Sequence, residues 1–180
     1  MINLVIKNFR VLFRILLNIF TVTFIRQSID RLGEFVMENV YPVRIINRGA
    51  NSSISSSARF LNPENIRIGS RTNINRNCIL WAGKKSKIVI GNDCLTGPGV
   101  TIIASQYKVK GRDIIRSYSQ IEEDIIVEDD VWLGANCVII SGVHVGKGAI
   151  VGAGSVVVKN VEPYSIVAGV PSKLIRERKH

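Results

Sequence analysis

Between Val127 and Glu162 an aliphatic residue recurs at every sixth place: Val127, Leu133, Ile139, Val145, Val151 and Val157. Four places after each stands a small or β-branched residue, namely Val131, Cys137, Val143, Ala149, Ser155 and Val161. Glycine follows the opener directly at Gly134, Gly146 and Gly152. A helix repeats every 3.6 residues and an alternating strand every two. An unbroken period of six fits neither and matches the repeats of a parallel β-helix. Each unit is then one short strand and a turn. The opener fills the interior, the small residue lets the corner close, and glycine tolerates the tight backbone.

The count extends backwards. It reads Ile68, Ile74, Leu80, then Ile90, Thr96, Ile102. One interruption carries Lys84, Lys85 and Lys87, and the other runs for about twenty residues before Val127. Both follow a block of three units. Three strands per turn, about eighteen residues, send every insertion out at the same corner, where a solenoid tolerates loops. Ile54 and Ala58 fit one further unit, after which the phase slips by two. The chain divides into a basic amphipathic helix (1–32), a transition with an irregular first coil (33–65), a β-helix (66–164) with a loop at 108–126, and a short basic C-terminal helix (165–180). The loop begins basic and ends acidic at Glu122, Glu123 and Asp124. A loop that long in a compact solenoid points to function.

The formal charge is +10, which favours an anionic partner: ligand phosphates, membrane headgroups or nucleic acid. No nucleic-acid-binding module or aromatic–basic platform is present, which argues against nucleic acid. Cys78, Cys94 and Cys137 all occupy the fifth place of a unit. That shared phase makes them buried wall residues, neither a disulfide framework nor a metal set, and an odd count in the core suits a reducing compartment. Near the N-terminus Asn3, Lys7, Arg10, Arg14, Asn18 and Thr21 recur at three- and four-residue steps. They form one narrow polar stripe on a helix that is otherwise apolar. The charge-free run Ile15–Ile25 is too short to span a bilayer, and no secretory cleavage site follows it. Two readings stay open: the helix lies in the cytoplasmic membrane interface, or it packs on a neighbouring subunit.

Four stretches follow one another at short spacing: Val131-Trp132-Leu133-Gly134-Ala135-Asn136, Ser141-Gly142-Val143, Val151-Gly152-Ala153-Gly154-Ser155-Val156-Val157, and Ala168-Gly169-Val170-Pro171-Ser172-Lys173. Together they resemble the hexapeptide-repeat acyltransferases, in particular the galactoside/maltose/xenobiotic acetyltransferase branch and its capsule and O-antigen O-acetylating relatives. The resemblance implies an all-β solenoid wound as a left-handed parallel β-helix, against the usual crossover rule. It implies a homotrimer with acetyl-CoA in the groove between subunits, and direct acetyl transfer to a sugar hydroxyl. A histidine is the base in that mechanism, since imidazole titrates near neutrality.

At the position of that histidine this chain has Tyr107. Its two histidines are His144 and the terminal His180. Tyr107 and His144 each end the third unit of a turn, so the register puts them on one corner, a turn apart. His144 is thus the candidate displaced base, with Tyr107 orienting it; the other reading makes it an exposed turn residue. The resemblance further assigns Trp132, Ala135, Ala153, Lys159, Lys173 and Arg176 to acetyl-CoA and Asn75 to the acceptor, with Ala82-Gly83 where the family has an acidic contact. A zinc-binding relative on this fold uses three histidines; two histidines and no His/Cys cluster point to no metal. The expected function is O-acetylation of a sugar of a surface polysaccharide or its lipid-linked precursor, at the cytoplasmic face of the inner membrane. Its rivals are a non-catalytic β-helix scaffold that retains CoA binding, and acetylation of a small xenobiotic.

Overall fold

The computed structural model describes residues 2–19 and 21–179; His180 lies outside the described residues. The chain forms two units, 1–37 and 38–180.

In the first unit the single helix expected over 1–32 is two helices, α1 (Ile2–Ile19) and α2 (Val22–Phe35). Thr21 separates them. It is extended (φ −73°, ψ 144°), and its hydroxyl accepts the Phe24 amide at 3.2 Å, an N-cap that satisfies one free donor of the new helix.

The second unit opens with a π-type turn (Val36–Val40) and α3 (Tyr41–Ile45), with Pro42 in its first turn. Strands then follow in threes. The first turn is β1 (Asn47–Arg48), β2 (Ser53–Ile54) and β3 (Arg59–Leu61). The second is β4 (Ile66–Ile68), β5 (Asn73–Ile74) and β6 (Ile79–Trp81), and the third β7 (Ile88–Ile90), β8 (Leu95–Thr96) and β9 (Thr101–Ile103). A hairpin, β10 (Ser105–Tyr107) and β11 (Gln120–Glu122), interrupts the series. The fourth turn is β12 (Ile125–Val127), β13 (Trp132–Leu133) and β14 (Val138–Ile140). The fifth is β15 (His144–Val145), β16 (Ile150–Val151) and β17 (Val156–Val157); β18 (Ser165–Ala168) and β19 (Lys173–Glu177) close the end. The chain visits three parallel sheets in rotation: β1-β4-β7-β12-β15, then β2-β5-β8-β13-β16-β18, then β3-β6-β9-β14-β17. The first coil, expected to be irregular, therefore already has one strand on each face.

The openers stack as inward columns. On the third face Phe60, Leu80, Ile102, Ile139 and Val157 are successive register partners, all at most 7% exposed. Their separations along the chain vary because three excursions leave the coil: Asn62–Asn65, Ala82–Lys87 and the segment 104–124. Each follows a third-face strand and precedes a first-face one, so all use one corner. The phase slip of two after Ala58 is the first of them.

The other two corners close with one left-handed residue per turn. At the first these are Asn51, Arg71, Asp93, Asp130, Gly148 and Tyr164 (φ 55–70°); at the second, from the second turn on, Asn77, Gly99, Asn136 and Gly154 (φ 56–71°). Asn, Asp and Gly dominate because they enter that region at least cost. All three cysteines are buried and free. Burial pushes the Cys94 thiol up to about 11 and the Cys137 thiol to about 12.

The C-terminal helix expected within 165–180 is not formed. Lys173–Glu177 is strand β19, antiparallel to β18, pairing Ser165 with Glu177 and Ala168 with Lys173. Gly169 (φ 103°) reverses the chain. The open edge of β18 supplies backbone partners that a free helix would forgo.

Candidate functional site

Three consecutive turns pack closely at the second corner, the first two of them backbone on backbone. A Cβ at Gly97 would stand 2.5 Å from the Ala135 nitrogen, and one at Gly134 2.5 Å from the Ala153 nitrogen. One at Gly152 would stand 2.8 Å from the Ala168 Cβ. Glycine is obligatory where the backbones approach so closely. Ala135 is half-buried and Ala153 exposed, so this edge presents main chain and methyl groups to an approaching ligand.

The second face flanks that edge. Its outward column runs Leu95, Trp132, Ile150, Ile166 and then Arg176 of β19. Trp132 is 52% exposed. Lys173 pairs with Ala168, which itself packs over Gly152. Trp132, Ala135, Ala153, Lys173 and Arg176 thus gather on one edge and its adjoining face. Asn75 occupies the same corner in the second turn, its amide on Thr96 Oγ1 at 2.9 Å and its own Oδ1 accepting the Arg76 amide at 2.7 Å. Lys159 does not join them. It follows β17 and lies at the third corner, exposed beside Asn160.

Tyr107 does not sit one turn from His144 in the coil, which corrects the register expectation. The chain leaves the coil after β9, and Tyr107 pairs with Gln120 in the antiparallel hairpin. The hairpin re-enters the coil as β12, so the place beneath His144 is taken by Ile126. Only one residue can fill a rung.

The partner of His144 is instead Glu128, which the sequence reading missed. Its Oε1 is 2.8 Å from His144 Nε2, and its Oε2 accepts the Lys147 amide at 2.7 Å. The His144 amide donates to Asn160 Oδ1 at 2.9 Å. A carboxylate acceptor at Nε2 leaves Nδ1 as the free lone pair. The signal was present: Glu128 stands two places past Ile126, one turn below. Side-chain exposures of 45% and 40% keep this dyad open to solvent.

The hairpin is anchored at its base and shaped at its tip. Glu122 accepts the Lys85 amide, Asp124 the Lys87 amide at 2.7 Å, and Ser141 Oγ the Glu123 amide at 3.0 Å. The Tyr118 hydroxyl donates to the Lys110 carbonyl and accepts the Asp113 amide. Lys84, Lys85, Lys87, Lys108, Lys110 and Arg112 keep their side chains exposed. At the first corner Arg71 holds Asp93 bidentately at 2.6 and 2.7 Å, and its donated hydrogen bonds lower the Asp93 carboxyl below its ordinary range. Among the described residues no group of three or more His, Cys, Asp or Glu could hold a metal ion.

Comparison with known proteins agrees with this architecture. The family model of the hexapeptide repeat of succinyl-transferase matches residues 124–159. The galactoside O-acetyltransferase of Escherichia coli is 31% identical over 129 residues, 72% of this chain and 62% of that one. The chain therefore spans somewhat under two thirds of that relative. The crystal structure of a hexapeptide-repeat acetyltransferase from Vibrio cholerae superposes with a TM-score of 0.70 at 31% identity, covering 77% of this chain and 78% of that one. A second crystal structure of the Vibrio protein, in complex with acetyl coenzyme A, gives the same TM-score and identity over 77% and 75%. With its period of six, its three-sided coil of parallel strands and these relatives, the chain belongs to the hexapeptide-repeat acetyltransferases, a family of acyl-transferring enzymes.

Proposed function

We propose that this acyltransferase moves the acetyl group of acetyl-CoA to a sugar hydroxyl of a surface polysaccharide, such as capsule or O-antigen, or of its lipid-linked precursor. The stacked glycine–alanine edge beside Trp132 and basic β19 carries the reading. Its small residues suit the backbone approach of an extended pantetheine arm, and Lys173 and Arg176 suit phosphates, through a compact charge and a forked donor set. When bound, acetyl-CoA supplies an acetyl group activated as a thioester.

The chain's own groups supply the proton chemistry. His144 Nδ1 takes the proton of the acceptor hydroxyl as its oxygen attacks the thioester carbonyl, and returns that proton to the CoA sulfur as the carbon–sulfur bond breaks; Glu128 fixes the ring and offsets the imidazolium charge in between. Tyr107 offers a hydroxyl for acceptor binding, and Asn75 an amide. The reading includes a left-handed coil and a homotrimer. The third face favours a second copy there: Trp81 and Leu61 are 45% and 44% exposed, and with Ile79, Ile103 and Phe60 they line an apolar cleft of about 350 Å³. Such faces are seldom left to water. In a trimer Lys159 of one copy would serve the edge of the next. Residues 1–32 would make a peripheral contact with the cytoplasmic face of the inner membrane, where a lipid-linked acceptor is presented.

The test is thiol release from acetyl-CoA in the presence of candidate oligosaccharides. Turnover that depends on a saccharide supports the reading. A second reading, a scaffold that binds acetyl-CoA without turning it over, rests on Tyr107 at the position of the family's histidine. Tight binding with no turnover on any saccharide would favour it.

A further inference from the structure

Neither the coil nor the acetyl-transfer chemistry uses the first unit, yet its surface is unusual. Residues 8–17 and 21–35 are exposed throughout. Phe9, Leu12, Phe13 and Leu17 of α1 are 54–68% exposed. On α2, Val22 is 82%, Ile29 64% and Leu32 63% exposed. With Ile25 they recur at three- and four-residue steps, so α2 has its own apolar stripe. Its polar side carries Thr23, Arg26, Gln27, Asp30, Arg31 and Glu34.

Charge distinguishes the two helices. The first acidic residue of the chain is Asp30. α1 therefore bears Lys7, Arg10 and Arg14 with no counter-charge, along the narrow polar stripe. Among the described residues no single helix is long and apolar enough to cross a membrane. Apolar surface that would cost free energy in water, beside uncompensated cations, is the composition of a helix lying in the plane of an anionic bilayer.

We propose that α1 and α2 are two in-plane helices that seat the protein on an anionic lipid bilayer. Their apolar stripes enter the boundary of the acyl chains, and Lys7, Arg10 and Arg14 meet headgroup phosphates. The Thr21 cap, which ends one helix and starts the next, lets each stripe face the lipid separately. This rests on and deepens the membrane contact of the proposed function: it names the lipid, and it divides the contact between two helices with separate apolar stripes. Charge complementarity selects the bilayer over a second copy of the chain, because a like-charged α1 would repel its equivalent.

The full chain is mixed with vesicles of phosphatidylcholine alone and with 30 mol% phosphatidylglycerol, then sedimented. The expected result is co-sedimentation with the anionic vesicles that weakens as salt rises. Arg10→Ala with Arg14→Ala should weaken it by roughly 25-fold, at about fivefold for each basic residue. Ile29→Asn with Leu32→Asn should weaken it comparably while circular dichroism and thiol release stay unchanged. Absence from anionic vesicles overturns the inference. So does binding that neither pair of substitutions alters, or a change in oligomeric mass without vesicle binding. Vesicle binding needs no acyl acceptor. A chain that acetylates free oligosaccharide and ignores vesicles sinks this inference alone; one that binds vesicles and turns over nothing sinks only the acetylation reading.

Discussion

His144 Nε2 lies 2.8 Å from Glu128 Oε1 although sixteen residues separate them in the chain. One turn of coil brings Ile126 beneath His144, and Glu128 follows two places on. Its second oxygen is held by the Lys147 amide, so the carboxylate is fixed before it fixes the ring. This carboxylate–imidazole pair is what the proposed proton transfer depends on.

Replacing His144 by alanine should lower acetyl transfer by about 10²–10⁴-fold with little change in the KM for acetyl-CoA. Glu128→Gln, which retains an acceptor but no charge, should cost less. Free thiol release measured between pH 5.5 and 9 checks both. An H144A enzyme as fast as the parent would remove His144 from the mechanism.

Lys173 and Arg176 pair in register with Ala168 and Ile166, beside the stacked glycine edge. Reversing both charges to glutamate should raise the KM for acetyl-CoA roughly tenfold or more, at about one decade per 1.4 kcal/mol, with kcat less affected. The parent's KM should rise with ionic strength, and the variant's should not. Lys159→Glu gives an independent reading of assembly: it should raise the same KM only if a neighbouring copy completes the edge.

Gly134→Ala forces a methyl group to within 2.5 Å of the Ala153 nitrogen. Backbone cannot yield as a side chain can, so the change should destabilise by about 1–3 kcal/mol. Asn136 sits at φ 56° in the same corner; N136V should cost about 1–2 kcal/mol, and N136G far less. Urea midpoints of the three variants give the order N136G above the other two.

The thiols of Cys94 and Cys137 are raised by burial to about 11 and about 12. Native protein at pH 8 should therefore resist alkylation at both, and all three cysteines should react in denaturant. The sign for stability follows from the raised values. The folded chain holds these protons more tightly than the unfolded chain, whose thiols titrate near 8.5. Their contribution is full below about pH 8.5 and is lost as pH rises toward 11–12. Denaturant midpoints between pH 8 and 10.5 should fall with pH, and C94A should flatten part of that fall.

Particular residues show how far the chain could be read without coordinates. The inward columns through Leu133 and Ile139, the buried wall cysteines, and the single corner shared by all excursions follow from the count of six. The edge formed by Trp132, Ala135 and Ala153 was legible because its motifs are contiguous. Glu128 was not, since its importance arises only when one turn lies on another. The helix expected within 165–180 failed for a related reason. Lys173–Glu177 has helix-compatible residues, but its conformation is set by the unpaired edge of β18.

What the amino-acid order determined by itself was radial position: which side chains point inward, where corners close and where loops leave. Each six-residue unit decides these from its own pattern. Tertiary structure alone decided vertical neighbours. The hairpin diverts Tyr107 to Gln120 and returns Ile126 to the rung beneath His144. A rung holds one residue, and the length of an excursion, not the repeat, settles which one it is.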